Sequence, residues 1–254
     1  MIDAGFKSDK GRVREQNEDA CLILPVQQVY VVADGVGGNN SGEYASKMAV
    51  SCVADFIREN HLADVKGDNE LAALLRRCIR EVNRTIYQTS MELPESRGMA
   101  TTLVLCFIRE ERAYFVNIGD SRAYIKRGSS IFQVTEDHSY VNTLLKLGVI
   151  TRDEAKDHAR GNIITRAIGA EASVQGDLYQ TDLEDGDVII LCTDGLHNEL
   201  SEDMMTKIIE ANTAGLDSMN KMASDLVSAA NDAGGRDNVT VICLKNRREA
   251  ADGQ

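Results

Sequence analysis

The chain has 254 residues, 43% hydrophobic and 27% charged, which is enough to bury a sizeable core with an ordinary globular balance. A formal net charge of −12 argues against a general nucleic-acid surface, and no segment reaches the roughly 20 apolar residues of a membrane span. The cysteines (Cys21, Cys52, Cys78, Cys106, Cys192 and Cys243) lack Cys-x-x-Cys spacing and several stand in apolar runs, which predicts reduced, buried thiols without a zinc or disulfide framework.

The N-terminus, "MIDAGFKSDKGRVREQNED", carries charges early and no apolar stretch of a secretory signal, so a cytoplasmic location is expected. Short strands are predicted over residues 2–6, 20–24 and 28–33. From residue 41, Ala45, Met48, Ala49, Cys52, Val53, Phe56 and Ile57 recur at helical spacing, with Asn40 and Glu43 as a capping pair. A second helix is predicted over 68–89, with Leu71, Leu74, Leu75, Cys78, Ile79, Val82 and Ile86 on one face.

The period then changes. Residues 100–108, 113–119, 122–128 and 130–134 read as consecutive strands joined by short polar turns, an antiparallel meander. Residues 136–176 are less regular, with a helical patch at 141–147. Residues 187–195 return to a buried strand. Helices follow over 201–212 and 216–231, then a turn and a last strand. Helices and strands come in batches, which predicts an α+β fold with antiparallel sheets in one domain of residues 1–246, followed by a charged tail at 247–254.

Asp34 follows "VYVVA", Asp120 follows "YFVNIG", Asp194 follows "VIILCT", and Asp237 precedes "NVTVICL". Each stands where an apolar strand meets a turn, and a strand end is a rigid mount for a carboxylate. Converging carboxylates repel, and a hard cation such as Mg²⁺ or Mn²⁺ is the usual remedy. Spacing alone leaves this reading level with four independent turn aspartates in an acidic protein. Arg14 precedes Glu18 and Asp19 by four and five residues. It would serve as a surface salt bridge, or as a planar fork for a phosphoryl group beside a metal site.

Eight stretches in order along nearly the whole chain are similar to the metal-dependent serine/threonine protein phosphatases of type 2C. They are "GRVREQNEDA", "VVADGVGGNNSGEYAS", "GMATTLVL", "NIGDSRAY", "TEDHSYVNTLLKLGVIT", "NIITRAIG", "LCTDGLHNEL" and "GGRDNVTVI". The resemblance implies a four-layer α/β/β/α sandwich of two antiparallel sheets, with a centre of two Mn²⁺ or Mg²⁺ ions and a possible third. It implies that Asp34 bridges two ions, that the Gly35 carbonyl binds one, and that Asp194 and Asp237 hold the other. Glu18 and Asp19 would act directly or through water, and Asp120 with Asp194 would form the third-metal position. Arg14 would grip the phosphate and Asn238 would order the centre.

The implied reaction is hydrolysis of phosphoserine and phosphothreonine by a metal-bridging hydroxide, opposing a protein kinase, with phosphoproteins as partners. A monomer is expected, with neither nucleic acid nor membrane as partner, and a flap at 136–176 would meet the substrate. The compact form is similar to bacterial members. The chain also departs from the family pattern. Val36 stands where many animal members have histidine, Asn39 where bacterial members have histidine, Ala100 where Gly-Thr-Thr is usual, and Ala159 where the flap has proline.

His61 reads as a surface residue, His138 as a structural hydrogen-bonding residue, and His158 as uninformative. His197 reads as a surface residue close enough to Asp194 for proton transfer to be conceivable. Cys52, Cys78 and Cys106 each precede an arginine by six positions, the Cys-x5-Arg pattern of thiol phosphatases, without the histidine or phosphate cradle that chemistry needs. The rival functions are a binding module without turnover and a phosphoesterase for small molecules. Retention of all the expected ligands speaks against the first.

Overall fold

The computed structural model describes residues 1–37, 41–156, 158, 160–161, 163–213 and 218–247. Asn39 and Asn40, Ala159, the start of the helix expected from 216, and the tail from 248 lie outside the described residues.

Three strands open the chain: β1 (Ile2–Asp9), β2 (Asp19–Leu24) and β3 (Val29–Val36). Two long helices follow, α1 (Ser41–Glu59) and α2 (Asp68–Glu92). Next come the two-residue β4 (Ala100–Thr101), β5 (Leu103–Arg109), β6 (Arg112–Ile118), β7 (Arg122–Arg127) and β8 (Ser130–Gln133). The irregular stretch holds α3 (Tyr140–Lys146) and α4 (Arg152–Lys156) and leads into β9 (Asp177–Asp182). β10 (Val188–Cys192), the single turn α5 (Asp194–His197), α6 (Glu202–Ala211), α7 (Ser218–Ala233) and β11 (Val239–Asn246) complete the fold.

The strands form two antiparallel sheets, ordered β1-β11-β10-β7-β8 and β2-β3-β5-β6-β9, with β4 added to β3. Alternation along a strand sends successive side chains to opposite faces. In β3, Tyr30 and Val32 point between the sheets, where they meet Val104, Phe115, Ile125, Leu191 and Ile242. Val29 and Val31 point the other way, against Ala49, Val53, Leu75 and Ile79 of α1 and α2. On the opposite side, Val188, Ile190, Val241 and Cys243 pack against Met205, Met222, Leu226 and Val227 of α6 and α7. Strands buried on both faces read as near-continuous apolar runs. The layers are helix, sheet, sheet, helix, and the expected α/β/β/α sandwich is the observed fold.

The predicted meander is corrected. β5 and β6 pair in one sheet, but β7 and β8 belong to the other, paired with β10. The chain changes sheet at Gly119-Asp120-Ser121, where Gly119 takes a φ of +101° that a side chain would strain. A Cβ there would lie 2.5 Å from the Thr102 methyl, so the crossing also needs the room. β9 was not expected, and the predicted strand end at 193–195 is instead the start of α5.

Candidate metal centre

The site lies at one end of the sandwich, where strands of both sheets terminate. Asp19 and Asp34 are paired across β2 and β3, at the start of one strand and near the end of the other. Asp194 opens α5, two residues after β10, and Asp237 stands two residues before β11. Because β10 and β11 run antiparallel as neighbours, these two ends coincide in space.

The backbone of Asp34 is clamped by two threonines. Its N–H donates to Thr102 Oγ1 at 2.9 Å, and its carbonyl accepts from Thr101 Oγ1 at 2.8 Å and from the Thr102 N–H at 2.9 Å. The Thr102 hydroxyl also bonds Ser121 at 2.7 Å, which ties the mounts of Asp34 and Asp120 together. Gly35 packs so tightly on α1 that a Cβ would sit 2.1 Å from the Gly42 carbonyl oxygen. Glycine is required at 35 by this approach.

Glu18 is held through its backbone. Its N–H donates to Asn238 Oδ1 at 2.8 Å, and its carbonyl accepts from Ser46 Oγ at 2.5 Å and from the Gly35 N–H at 3.1 Å. Asn238 Nδ2 also donates to the carbonyls of Lys10 and Gln16, at 3.0 and 2.8 Å. Asn238 therefore orders the loop that carries Arg14 and touches no carboxylate oxygen of the cluster through its side chain. Arg14, half exposed, donates to Asp237 Oδ2 at 2.7 Å and keeps further N–H groups toward solvent.

Burial and mutual repulsion raise the carboxyls of the cluster. Asp34 stands well above the ordinary range, through burial first and then the charges of Asp19, Asp194, Asp120 and Asp237. Asp19 and Asp120 are pushed to about 7, and Asp194 to about 6, with burial again the leading cause. Asp19 Oδ2 accepts from Thr193 Oγ1 at 2.9 Å and Asp194 Oδ2 from Asn198 Nδ2 at 3.0 Å, while the second oxygen of each is buried without a partner.

Unpartnered buried carboxylate oxygens and mutually raised acids are the donor set a hard divalent cation fits. Among the described residues no three His, Cys, Asp or Glu side chains close around a single point as a full ligand shell. An open set is consistent with Mg²⁺ or Mn²⁺, which keep several waters and take one or two carboxylates each. Asp19, Asp120, Asp194 and Asp237 all act on the charge of Asp34, so these acids gather at one end of the sandwich.

Sequence reasoning missed the hydroxyls that fix these acids: Thr101, Thr102, Ser121 and Thr193. His197 is half-buried and its Nε2 donates to the Asp120 carbonyl at 3.0 Å. Burial and the nearby Arg122 push its pKa down to about 3, so it is a neutral hydrogen-bonding residue, which corrects the surface assignment. His138 is structural: Nδ1 accepts from the Gly119 N–H at 3.1 Å, and Nε2 lies 3.0 Å from Asp177. Cys52 and Cys78 lie in helices and Cys106 in β5, and burial raises all three thiols, so none offers a reactive thiolate.

A two-sheet sandwich with a carboxylate centre at its strand ends defines the class, a cation-dependent hydrolase scaffold. The protein phosphatase 2C model matches residues 10–229. The serine/threonine phosphatase Stp of Listeria monocytogenes is 35% identical, with 95% of each chain covered. The solved structure of Stp1 from Staphylococcus aureus is 32% identical, covers 98% of this chain and 96% of its own, and superposes with a TM-score of 0.89. The catalytic domain of the phosphatase PstP, solved with two manganese ions, is 31% identical over 97% of this chain and 99% of that one, with a TM-score of 0.83. The chain belongs to the protein phosphatase 2C family.

Proposed function

We propose that the chain removes phosphate from phosphoserine and phosphothreonine of proteins, using divalent cations held by Asp34, Gly35, Asp194 and Asp237. The observation that carries this reading is the buried acid cluster with its unpartnered Asp19 and Asp194 oxygens, placed directly beside the Arg14 guanidinium. Bound there, two Mn²⁺ or Mg²⁺ ions supply the charge that activates water for attack on phosphorus and neutralises the phosphoryl oxygens.

The chain's own residues do the positioning. Asp34, near the end of β3, and Asp194, just past the end of β10, come from opposite sheets and set the width of the centre. Asp120, held by the sheet crossing, adds a carboxylate for a third ion. Glu18 and Asp19 back the centre from the β2 side. Arg14 presents its free N–H groups to the phosphoryl oxygens and aligns the ester. Val36 offers no proton to the leaving group. A phosphoprotein substrate, an opposing Ser/Thr kinase, a monomeric state and action in the cytoplasm complete the reading. Among the described residues no helix is long and apolar enough to cross a membrane.

The test is phosphate release from a phosphothreonine peptide by chelator-treated protein, with and without Mn²⁺. Release that requires Mn²⁺ and disappears in Asp237→Asn supports the reading. Folded protein that releases none with any divalent cation overturns it.

A further inference from the structure

On α2, outside the metal centre, Arg76, Arg80 and Arg84 recur every fourth residue, which lines three guanidinium stems along one face. All three are exposed, and among the described residues none makes a hydrogen bond or ion pair, whereas adjacent Arg77 bonds Asn60 and pairs with Glu81. Like charges at this spacing repel, so in a chain of net charge −12 the stripe is an uncompensated positive feature.

Arg76 and Arg80 border a cleft of about 190 Å³ between α2 and residues 173–176. Ile79 and Val116 form its apolar floor, and Ser173 and Gln175 add polar groups to its wall. The wall is fixed in place. Asn83 Nδ2 donates to the Glu171 carbonyl at 3.0 Å, and Asn83 Oδ1 accepts from the Gly169 N–H at 2.8 Å. At its other end, Asp177 accepts from Arg166 at 2.9 Å. None of these residues belongs to the metal centre.

Two unpaired guanidinium forks at a preformed cleft suit a tetrahedral dianion, which planar bidentate donors bind better than they bind a lone point charge. The volume is below the roughly 300 Å³ at which pockets for drug-sized ligands begin, so one side chain fits and a nucleotide does not. The apolar floor matches the carbon stem that carries such a group. We propose that this cleft binds a phosphorylated serine or threonine side chain of a protein segment, held by Arg76 and Arg80. The choice of a protein as the carrier rests on the phosphatase reading above. A substrate phosphorylated at two places is then gripped at one phosphate while the other is hydrolysed.

The probe is a short peptide whose phosphoserine is replaced by its non-hydrolysable phosphonate, titrated into Mg²⁺-loaded protein while the backbone N–H signals of residues 173–176, which line the cleft and are unchanged in every variant, are followed by NMR. The expected result is a saturating shift with a midpoint below about 1 mM, weakened about tenfold or more in Arg76→Gln/Arg80→Gln. Glutamine is a good helix former at exposed positions, and turnover of an aryl phosphate ester by this variant stays within about twofold of wild type. A shift that never saturates, or equal saturation by a matched glutamate peptide, overturns the proposal. Failure of the phosphatase reading is separate, since wild-type protein would then release no phosphate from a phosphothreonine peptide, whether or not it turned over the aryl ester.

Discussion

Arg14 Nη2 lies 2.7 Å from Asp237 Oδ2, which joins the loop after β1 to the turn before β11. One guanidinium is thus anchored to a carboxylate of the centre while its other donors face the mouth of the site. A hydrogen bond to a charged group contributes about 1.5–3 kcal/mol, so Arg14→Ala should lower kcat/KM on a phosphothreonine peptide about tenfold to a hundredfold. Most of the loss should appear in KM, because the phosphate is charged in both the ground and the transition state. Arg14→Lys should recover only part, since lysine lacks the planar fork. An unchanged kcat/KM in Arg14→Ala would remove it from the site.

The charge of Asp194 helps to raise Asp34, inside a cluster whose charges oppose one another. Asp194→Asn removes one of those charges while the carboxamide oxygen still accepts from Asn198. In chelator, its thermal midpoint should therefore rise by about 2–4 °C over wild type. Mn²⁺ should then stabilise wild type clearly and the variant little, and turnover should be lost. Equal Mn²⁺ stabilisation of both proteins would show that Asp194 is not a ligand.

The raised carboxyls also set the sign of the pH dependence. Asp19 and Asp120 at about 7 and Asp194 at about 6 bind protons more tightly in the folded than in the unfolded chain. The folded state therefore takes up protons as pH falls through this window, and stability rises from pH 8 toward pH 5 in chelator. A bound cation needs the same groups ionised, so the extra stability given by a fixed Mn²⁺ concentration should shrink over that interval. Thermal unfolding with and without Mn²⁺ across the range checks both slopes. A metal-free protein that loses stability on mild acidification would contradict the placement of the acids.

Most strands were legible because both sheets are buried on both faces, so β3, β5, β10 and β11 appear as plain apolar runs. Pairing was not legible. Nothing in residues 113–128 distinguishes a hairpin from a change of sheet, and the deciding features are the positive φ of Gly119 and its contact with Thr102. β9 escaped because "DLYQTD" is an edge strand with acids at both ends and little burial. The four aspartates were legible from their common address at strand ends. Thr101, Thr102 and Thr193 were not, since a threonine in a strand reads as a β-branched filler until its hydroxyl is seen to hold a neighbour.

Asn238 shows how a residue off the chemistry can decide whether the site exists. Its carboxamide accepts from the Glu18 N–H and donates to the carbonyls of Lys10 and Gln16, so it pairs three backbone groups of a loop that lies between β1 and β2. Asn238→Ala removes three part-buried hydrogen bonds to backbone groups, each contributing about 0.5–1.5 kcal/mol. The midpoint of thermal unfolding should fall by several degrees, and Arg14 should lose its fixed position. KM for a phosphothreonine peptide should then rise even at temperatures where the variant is fully folded. Asn238→Asp keeps one acceptor but loses both donated bonds and adds charge beside Asp237, so it should rescue neither stability nor KM. A folded Asn238→Ala with wild-type KM would mean that the loop is held by its other contacts alone, chiefly the 2.7 Å bond from the Arg12 N–H to the Gly235 carbonyl.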